Sequence, residues 1–339
     1  MSQDKFYLDL GSHTIKLGKD ARGVLKQEKN RIAYNNTTPV GYGKQAIDME
    51  GKMIPGIDIV TPIENGVPGN VTALQRLIKH MYDEHSSGWS LLNGHTYYVA
   101  IPCDVSQVEE KAILTSIDQN AVSARKILFV NKLIADAIGG GILPKRDQYC
   151  LLVDIGHDTT EMGVLNDGQI LYSKRIFIGG KHLNEGITAA IQEQEDFLIS
   201  SKEAAYLKKE IGSAQPYSQR SIVITGIDTN TKLPVEREVD TLSVHIGLIS
   251  VLNDILYEIS CFLKTLPKDF YNNVLNSTLY LCGGSSLLSE INTFLEEALH
   301  IPVTILGSGS KTALHGLEII ASKEELHRYT KSVKVPFYE

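Results

Sequence analysis

The chain carries the same short pattern twice, once near its start and once near its middle. In the first copy, an apolar run is followed by Asp9 and then by residues 11–14, Gly-Ser-His-Thr. In the second, an apolar run is followed by Asp154 and then by residues 156–160, Gly-His-Asp-Thr-Thr. Each copy predicts a strand, an aspartate at its end and a tight turn into a second strand. Glycine lets the backbone approach an anion closely, and successive N–H groups in such a turn form an anion-binding concavity. A single Asp-x-Gly also marks ordinary hairpins, but two copies in matching contexts indicate duplicated halves.

Such halves would face each other across a nucleotide, each with a loop for the phosphates and a carboxylate for the metal. At 339 residues the chain is long enough for two domains of ordinary size. Its 42% hydrophobic and 22% charged residues are typical of a soluble globular protein. A net charge of −7 without a long Lys/Arg run argues against nucleic acid as a partner.

The four cysteines indicate the compartment. They are scattered, without a C-x-x-C pair or metal-type spacing, and stand at positions 103, 150, 261 and 282. We interpret them as small core residues in a reducing cytosol. A strand is predicted within a few residues of Met1, without a signal peptide, and no segment reaches the roughly 18 apolar residues of a spanning helix. We therefore expect a cytoplasmic protein.

Strands alternate with helices in both halves of the chain. In the first half, Leu74, Leu77, Ile78 and Met81 share one face of a predicted helix, and residues 31–66, rich in turn formers, predict a small irregular insertion. Further signals are a capping box at Ser106 and Glu109, a short helix over 133–138, a helix beginning near Leu183, a long amphipathic helix over 248–263 and a strand over 278–281. This alternation predicts α/β domains with helices on the sheet faces.

Six segments resemble a known family, in the order in which its members carry them. They are residues 61–67, 100–139, 153–161, 178–180, 207–214 and 281–288. The family is that of the bacterial actins, and the chain is most similar to MreB, the cell-shape actin, and its relative MamK. The resemblance covers essentially the whole chain. It therefore implies both a fold and a set of site residues.

The fold that the resemblance implies is the α/β actin-like ATPase fold. It has two duplicated RNase H-like domains that face a nucleotide cleft, each with a smaller inserted subdomain. Domain I would comprise residues 1–140 and 306–339, with its insertion at 31–66. Domain II would comprise residues 141–305, with its insertion at about 181–240.

The resemblance also assigns roles residue by residue. Asp9 and Asp154 would hold Mg²⁺, and Asp154, Thr160 and Lys132 would occupy catalytic positions. The nucleotide ATP or ADP would be bound by Asp9, Gly11, Ser12, His13, Lys16, Gly156, His157, Asp158, Thr159, Gly179, Gly180, Lys208, Gly283, Gly284 and Ser285. Polyphosphates require such backbone amides, lysines and a hard cation with oxygen ligands.

Three departures from the family pattern bear on hydrolysis, and one of them is Lys209, which replaces an acidic or apolar residue near the nucleotide sugar. Lys132 stands where these proteins usually have a Glu or Gln that positions the attacking water, and a charged lysine cannot accept a proton from water. Alternatively, Lys132 forms a surface ion pair with Asp136 one helical turn away. His157 and Asp158 replace two glycines of the second phosphate loop, and a carboxylate there repels the γ-phosphate unless it points away or meets Mg²⁺ or His157. We therefore expect nucleotide binding with slow hydrolysis.

The function implied is that of an ATP-binding cytoskeletal protein that polymerises with itself, head to tail, into paired protofilaments. A scaffold or adaptor of the same superfamily that hydrolyses little ATP is one alternative. A small-molecule kinase is another, although no motif for a catalytic Asp and a sugar pocket stands out. Trp89, Leu91 and Leu92 form a Gly-flanked apolar loop that would either touch the inner membrane, as in membrane-bound MreB proteins, or fold back onto the domain.

Overall fold

The computed structural model describes most of the chain, in eight segments. They are residues 4–19, 23–52 (without the side chains of 23–25), 54–84, 94–117, 121–143, 148–216, 220–307 and 309–333. The chain divides into two compact units, Met1–Leu143 with Lys311–Glu339, and Pro144–Ser310. Each unit is an α/β structure with its own sheet.

Short strands, singly or in consecutive groups, are interspersed with helices along both units. In chain order the strands are β1 (Lys5–Leu10), β2 (Thr14–Lys19), β3 (Gly23–Lys29), β4 (Ile32–Asn35), β5 (Thr38–Tyr42), β6 (Ile57–Val60), β7 (Ile63–Glu64), β8 (Val67–Pro68), β9 (His95–Ile101), β10 (Ala124–Asn131), β11 (Tyr149–Ile155), β12 (Thr160–Asn166), β13 (Gln169–Ile176), β14 (Phe197–Leu198), β15 (Ser221–Asp228), β16 (Pro234–Asp240), β17 (Thr278–Cys282), β18 (Val303–Ile305) and β19 (Thr330–Val333). The α-helices are α1 (Lys44–Glu50), α2 (Val71–Asp83), α3 (Gln107–Ser116), α4 (Lys132–Gly139), α5 (Gly180–Glu195), α6 (Ser201–Glu210), α7 (Thr241–Thr265), α8 (Lys268–Leu275), α9 (Ile291–Leu299) and α10 (Thr312–Ser322).

The main sheets of the two units share one topology. The first has the order β19-β10-β9-β1-β2-β3, and the second has the order β13-β12-β11-β17-β18. In each, the central strand pairs antiparallel with the next strand of the chain and parallel with a later one: β1 with β2 and β9, and β11 with β12 and β17. Strand β19 is an addition at the edge of the first sheet. The predicted duplication is therefore confirmed.

The central strands are apolar along nearly their whole length. Phe6, Leu8, Leu151 and Val153 are all fully buried, as expected for strands covered by helices on both faces. The capping box that opens α3 is also confirmed: Ser106 Oγ accepts from the Glu109 N–H, and the Glu109 carboxylate accepts from the Ser106 N–H.

The segment 31–66 is more regular than the sequence indicated. Strands β4, β5 and β6 form a small sheet of their own, with α1 between β5 and β6. The expectation of an irregular insertion was wrong because its turn formers occupy the connections between regular elements. Asn36, for example, takes the left-handed conformation with φ of 55° in the tight β4–β5 turn, a conformation that Asn tolerates.

In the second unit, α7 begins earlier than its apolar periodicity suggested. Asp240 caps its first turn by accepting a hydrogen bond from the Ser243 N–H at 2.8 Å. By length and composition, α7 is the one helix among the described segments that could cross a membrane. One face of α7, with Leu248, Leu252 and Ile259, lies in the core of the second unit, whereas Leu242, Ile246 and Tyr257 are exposed.

Helices α5 and α7 cross at two glycines with almost no space between their backbones. A Cβ atom at Gly247 would lie 2.5 Å from Ile187 Cα and 2.6 Å from the Gly186 carbonyl oxygen. We predict that Gly247→Ala lowers the free energy of unfolding by about 2 kcal/mol. Overpacking against backbone that cannot yield costs about 3 kcal/mol, whereas the gain in helix propensity is about 1 kcal/mol. Urea denaturation measures this difference.

The matched control is Gly307→Ala. Gly307 lies in the same unit, and a Cβ atom there meets nothing within 4 Å. The urea midpoint of Gly307→Ala should stay close to that of the wild type. Equal midpoints for Gly247→Ala and the control would show that the two helices can separate without cost.

Candidate functional site

In the first unit, the predicted phosphate loop is anchored by a buried ion pair. Asp9 and Lys16 stand opposite each other in the β1–β2 register, and Lys16 Nζ donates to Asp9 Oδ2 at 2.6 Å. Both residues are at least 95% buried. Removing either partner would leave an uncompensated buried charge, which is strongly destabilising. The pair therefore holds the aspartate in place at the end of β1.

The turn that follows Asp9 is held by a residue that the motifs did not indicate. Asn30 is fully buried, and its Nδ2 donates to the Ser12 and Ile63 carbonyl oxygens, at 2.7 Å each. Its backbone N–H donates to the His13 carbonyl oxygen at 3.1 Å. The Gly66 N–H donates to Ser12 Oγ at 3.0 Å. No local sequence signal distinguishes Asn30 from an ordinary loop asparagine.

The turn itself is tight, as predicted. A Cβ atom at Gly11 would lie 2.6 Å from the Thr14 carbonyl oxygen. The His13 side chain is exposed, and its Nε2 lies 2.6 Å from Lys29 Nζ. The first loop thus presents a lysine, a histidine and a short stretch of backbone at the end of β1.

In the second unit, the equivalent aspartate is Asp154 in β11, which is 98% buried. Gly283, directly after β17, has φ of +89°, and a Cβ atom there would lie 2.1 Å from Asp154 Oδ1. Only glycine fits both this backbone conformation and this approach. The predicted residues Asp154 and Gly283 are therefore direct neighbours in space. Gly156 and Ser285, each two positions further along, are 129 positions apart in the chain and also in contact.

Four of the predicted site residues converge on the second loop. The Gly156 carbonyl oxygen accepts from the Gly180 N–H at 2.9 Å and from Ser285 Oγ at 3.3 Å. Lys208 Nζ donates to the Gly180 carbonyl oxygen at 2.7 Å. Gly179 is also close to this loop, since a Cβ atom placed there would lie 2.7 Å from the His157 carbonyl oxygen. Helix α5 therefore begins at Gly180 rather than near Leu183, because the loop fixes its first turn.

Lys208 is a predicted nucleotide ligand whose pKa is shifted far from its ordinary value. Burial lowers the pKa of its ammonium group to about 8, because an apolar environment disfavours the charged form. The side chain remains mostly protonated at neutral pH and is positioned by the Gly180 carbonyl oxygen. An anionic ligand beside it would raise this pKa again.

The two residues that replace glycines in the second loop lie near each other. His157 Nε2 is 3.9 Å from Asp158 Oδ1, which supports the alternative that Asp158 meets His157. Thr159 closes the turn, because its carbonyl oxygen accepts from the Gly156 N–H at 2.8 Å. Thr160 is fully buried and donates its hydroxyl to the Ile178 carbonyl oxygen at 2.8 Å.

The remaining predicted residues have defined places as well. Lys132 is the first residue of α4, and Asn131 caps that helix through the Leu133 N–H at 3.0 Å. Gly284 begins a short 3₁₀ turn, Gly284–Leu287, that also contains Ser285. The apolar loop of Trp89, Leu91 and Leu92 lies outside the described residues, so its contact with lipid stays a prediction.

The two aspartates fit the requirements of Mg²⁺. Each is a buried carboxylate at the end of the central strand of its sheet, and hard oxygen donors are what this cation prefers. One oxygen of Asp9 is already bonded to Lys16, which favours contact with the metal through water. The donor set at these positions therefore fits the ion.

Comparison with known proteins decides the family. A sequence profile of the family described as MreB/Mbl protein matches residues 3–329. The chain belongs to the MreB/Mbl family. It is 24% identical to the cell shape-determining protein MreB of Escherichia coli K12 over 312 residues, 90% of this chain and 89% of the relative. Membership places the chain among the actin-like cytoskeletal proteins.

Solved structures of actin-like proteins agree with this assignment. The crystal structure of MreB5 of Spiroplasma citri bound to AMPPNP superposes with a TM-score of 0.89 and 26% identity, over 95% of this chain and 97% of that one. The MamK double helical filament gives a TM-score of 0.79 with 18% identity, over 95% and 99%. The predicted actin-like fold and its resemblance to MreB and MamK are confirmed.

Proposed function

We propose that this MreB/Mbl family member binds ATP with Mg²⁺ and assembles head to tail into filaments of paired protofilaments. One observation carries the proposal. Each unit ends the central strand of its sheet in a buried aspartate, Asp9 or Asp154, and follows it with a tight glycine turn into an antiparallel strand. Each unit therefore carries residues that suit one half of a polyphosphate site.

Each half would act on a different part of the nucleotide. Lys16 and the turn at Gly11 supply positive charge and backbone N–H groups for the phosphates. Gly156 and Thr159 would do the same in the second unit. Gly283, Gly284, Ser285 and Lys208 would lie along the nucleoside. Asp9 and Asp154 would hold Mg²⁺ through water, and the ion would neutralise phosphate charge.

Two related proteins support the proposal, one for nucleotide binding and the other for filament assembly. The MreB5 structure contains AMPPNP, a triphosphate analogue, and the MamK structure is a filament. A filament requires a heterologous interface that does not close into a ring. Nucleotide held by both units would bias their relative angle and thereby couple ATP to assembly. We propose a cytoplasmic filament on these grounds.

Slow hydrolysis is the second part of the proposal. Lys132 at the start of α4 offers an ammonium group where a water-positioning acceptor is expected from the family. Asp158 lies beside His157, and its repulsion of the γ-phosphate would depend on whether that ring carries a positive charge. A nucleotide-binding scaffold that hydrolyses little ATP remains the second candidate because of these two residues.

Negative-stain electron microscopy of the purified chain tests the proposal. We expect filaments with Mg-ATP or Mg-AMPPNP, and dispersed protein without nucleotide or after Mg²⁺ is chelated. Calorimetry on the same preparation should show binding of Mg-AMPPNP. Binding without any polymer would favour the scaffold, and phosphoryl transfer to a small molecule would favour a kinase. Absence of nucleotide binding would refute the proposal altogether.

A further inference from the structure

A second lysine lies next to the first phosphate loop, on a strand that the family motifs do not include. Lys29 is the last residue of β3 and stands opposite Thr14 in the β2–β3 register. Its Nζ lies 2.6 Å from His13 Nε2. The next residue, Asn30, is bonded to the backbone of Ser12 and His13. Lys29 is therefore attached to the loop by its neighbour as well as by its own side chain.

The surroundings of Lys29 differ from those of the other lysines nearby. Lys16 is paired with Asp9, and Lys26 with Glu28 and Glu84. Among the residues that the structure describes, Lys29 pairs with no carboxylate; its polar side-chain contact is the His13 ring. Burial, and then the positive charge of Lys16, lower the pKa of the Lys29 ammonium group. Lys29 is thus a half-buried ammonium group beside the loop, without a carboxylate partner among the described residues.

We propose that Lys29 binds the terminal phosphate of the nucleoside triphosphate and contacts His13 when that phosphate is absent. The inference rests on the proposed function, because it names a further ligand of the same nucleotide. A phosphate beside the loop would accept a charge-assisted hydrogen bond from Lys29, whose ammonium group lies 2.6 Å from His13 of that loop. In the neutral tautomer that carries its proton on Nδ1, His13 accepts from Lys29 through Nε2. This contact keeps the lysine close to the loop, and a neutral imidazole binds an ammonium group less strongly than a phosphate would.

The proposal separates a phosphate ligand from a residue that only orders the loop. A ligand of the terminal phosphate distinguishes triphosphate from diphosphate, whereas a loop-ordering residue affects both nucleotides equally. Loss of one charge-assisted hydrogen bond weakens binding roughly 10- to 100-fold. The difference between the two nucleotides is therefore the decisive quantity.

Isothermal titration calorimetry with the full chain tests this, with Mg-AMPPNP, Mg-ADP and tripolyphosphate as ligands. We expect Lys29→Met to weaken Mg-AMPPNP roughly 10- to 100-fold and Mg-ADP much less. Tripolyphosphate should lose affinity in parallel with Mg-AMPPNP if the phosphates alone are recognised. Lys29→Arg, which keeps the charge, should retain most of the affinity for both nucleotides.

Lys26→Met is the matched control, because the substitution removes the same charge from the same strand. Unlike Lys29, Lys26 is neutralised by two carboxylates. It should bind both nucleotides like the wild type. Equal losses for Mg-AMPPNP and Mg-ADP in Lys29→Met, or no loss at all, would overturn the role of Lys29 while leaving the proposed function intact. A wild-type chain that binds neither nucleotide would overturn both. Circular dichroism of each variant verifies that it is folded.

Discussion

Replacing Asp154 with alanine is expected to abolish Mg²⁺-dependent nucleotide binding and, with it, nucleotide-dependent assembly. Asp154 is 98% buried at the end of β11, in contact range of the Gly283 backbone. If Asp154 organises the metal, its loss should lower the affinity for Mg-AMPPNP by more than about 100-fold, since removal of groups that only support a bound metal already costs about 10- to 100-fold. Calorimetry and pelleting assays measure the two effects.

Two further variants make this result interpretable. Asp154→Asn keeps the shape of the side chain and removes its charge, so it should lose Mg²⁺-dependent binding while unfolding at a temperature close to that of the wild type. Asp254→Ala removes an exposed carboxylate from α7 in the same unit and should bind normally. Unchanged Mg-AMPPNP affinity in Asp154→Asn, together with normal assembly, would exclude Asp154 as a metal-binding residue.

Replacing Lys132 with glutamate is expected to raise the rate of ATP hydrolysis. Lys132 is the first residue of α4, directly after the N-cap residue Asn131. This is the position where the family pattern places a water-orienting acceptor. Groups that orient or deprotonate water contribute about 10²- to 10⁴-fold to the rate. In the proposed complex, Asp158 would lie near the γ-phosphate and limit the gain. Phosphate release under single-turnover conditions measures it, and filaments should still form because assembly depends on occupancy of the site.

Control variants separate the chemistry from a change of surface charge. Lys132→Gln supplies an acceptor without a negative charge and should give part of the gain. Lys111→Glu makes the same charge change on the exposed face of α3 and should leave the rate unchanged. Rapid hydrolysis by the wild type, or no increase in Lys132→Glu with binding intact, would exclude a water-orienting role for position 132. The alternative of a surface ion pair with Asp136 does not fit the structure, because Asp136 is buried.

The duplication shows how far local pattern can predict this molecule. The sequence placed an aspartate and a glycine turn after an apolar strand in each half, and both sheets have that arrangement in the same strand order. The capping box at Ser106 was equally predictable, because a cap depends on residues only three positions apart. Strand topology followed from the family resemblance rather than from the spacing of residues.

Other features of the site depend on contacts that a linear pattern does not contain. Asn30 holds the first loop through Ser12, His13 and Ile63, yet its sequence neighbourhood is that of any polar turn. Lys29 became a candidate ligand only when its ammonium group was found beside His13 and near Lys16 without a carboxylate. Such neighbourhoods form when strands pair, which brings together residues far apart in the chain.

The α/β class, the duplicated loops and the residue types that polyphosphate chemistry needs were predictable from the chain alone, because they depend on short-range periodicity and turn formation. Which charges are neutralised and which backbones touch became known from the folded molecule. Asp9 is paired with Lys16, Lys208 is buried against Gly180, and α5 meets α7 at Gly186 and Gly247. Burial and charge pairing are properties of packed elements, since the strength of an ion pair and the space at a helix crossing depend on what lies around them.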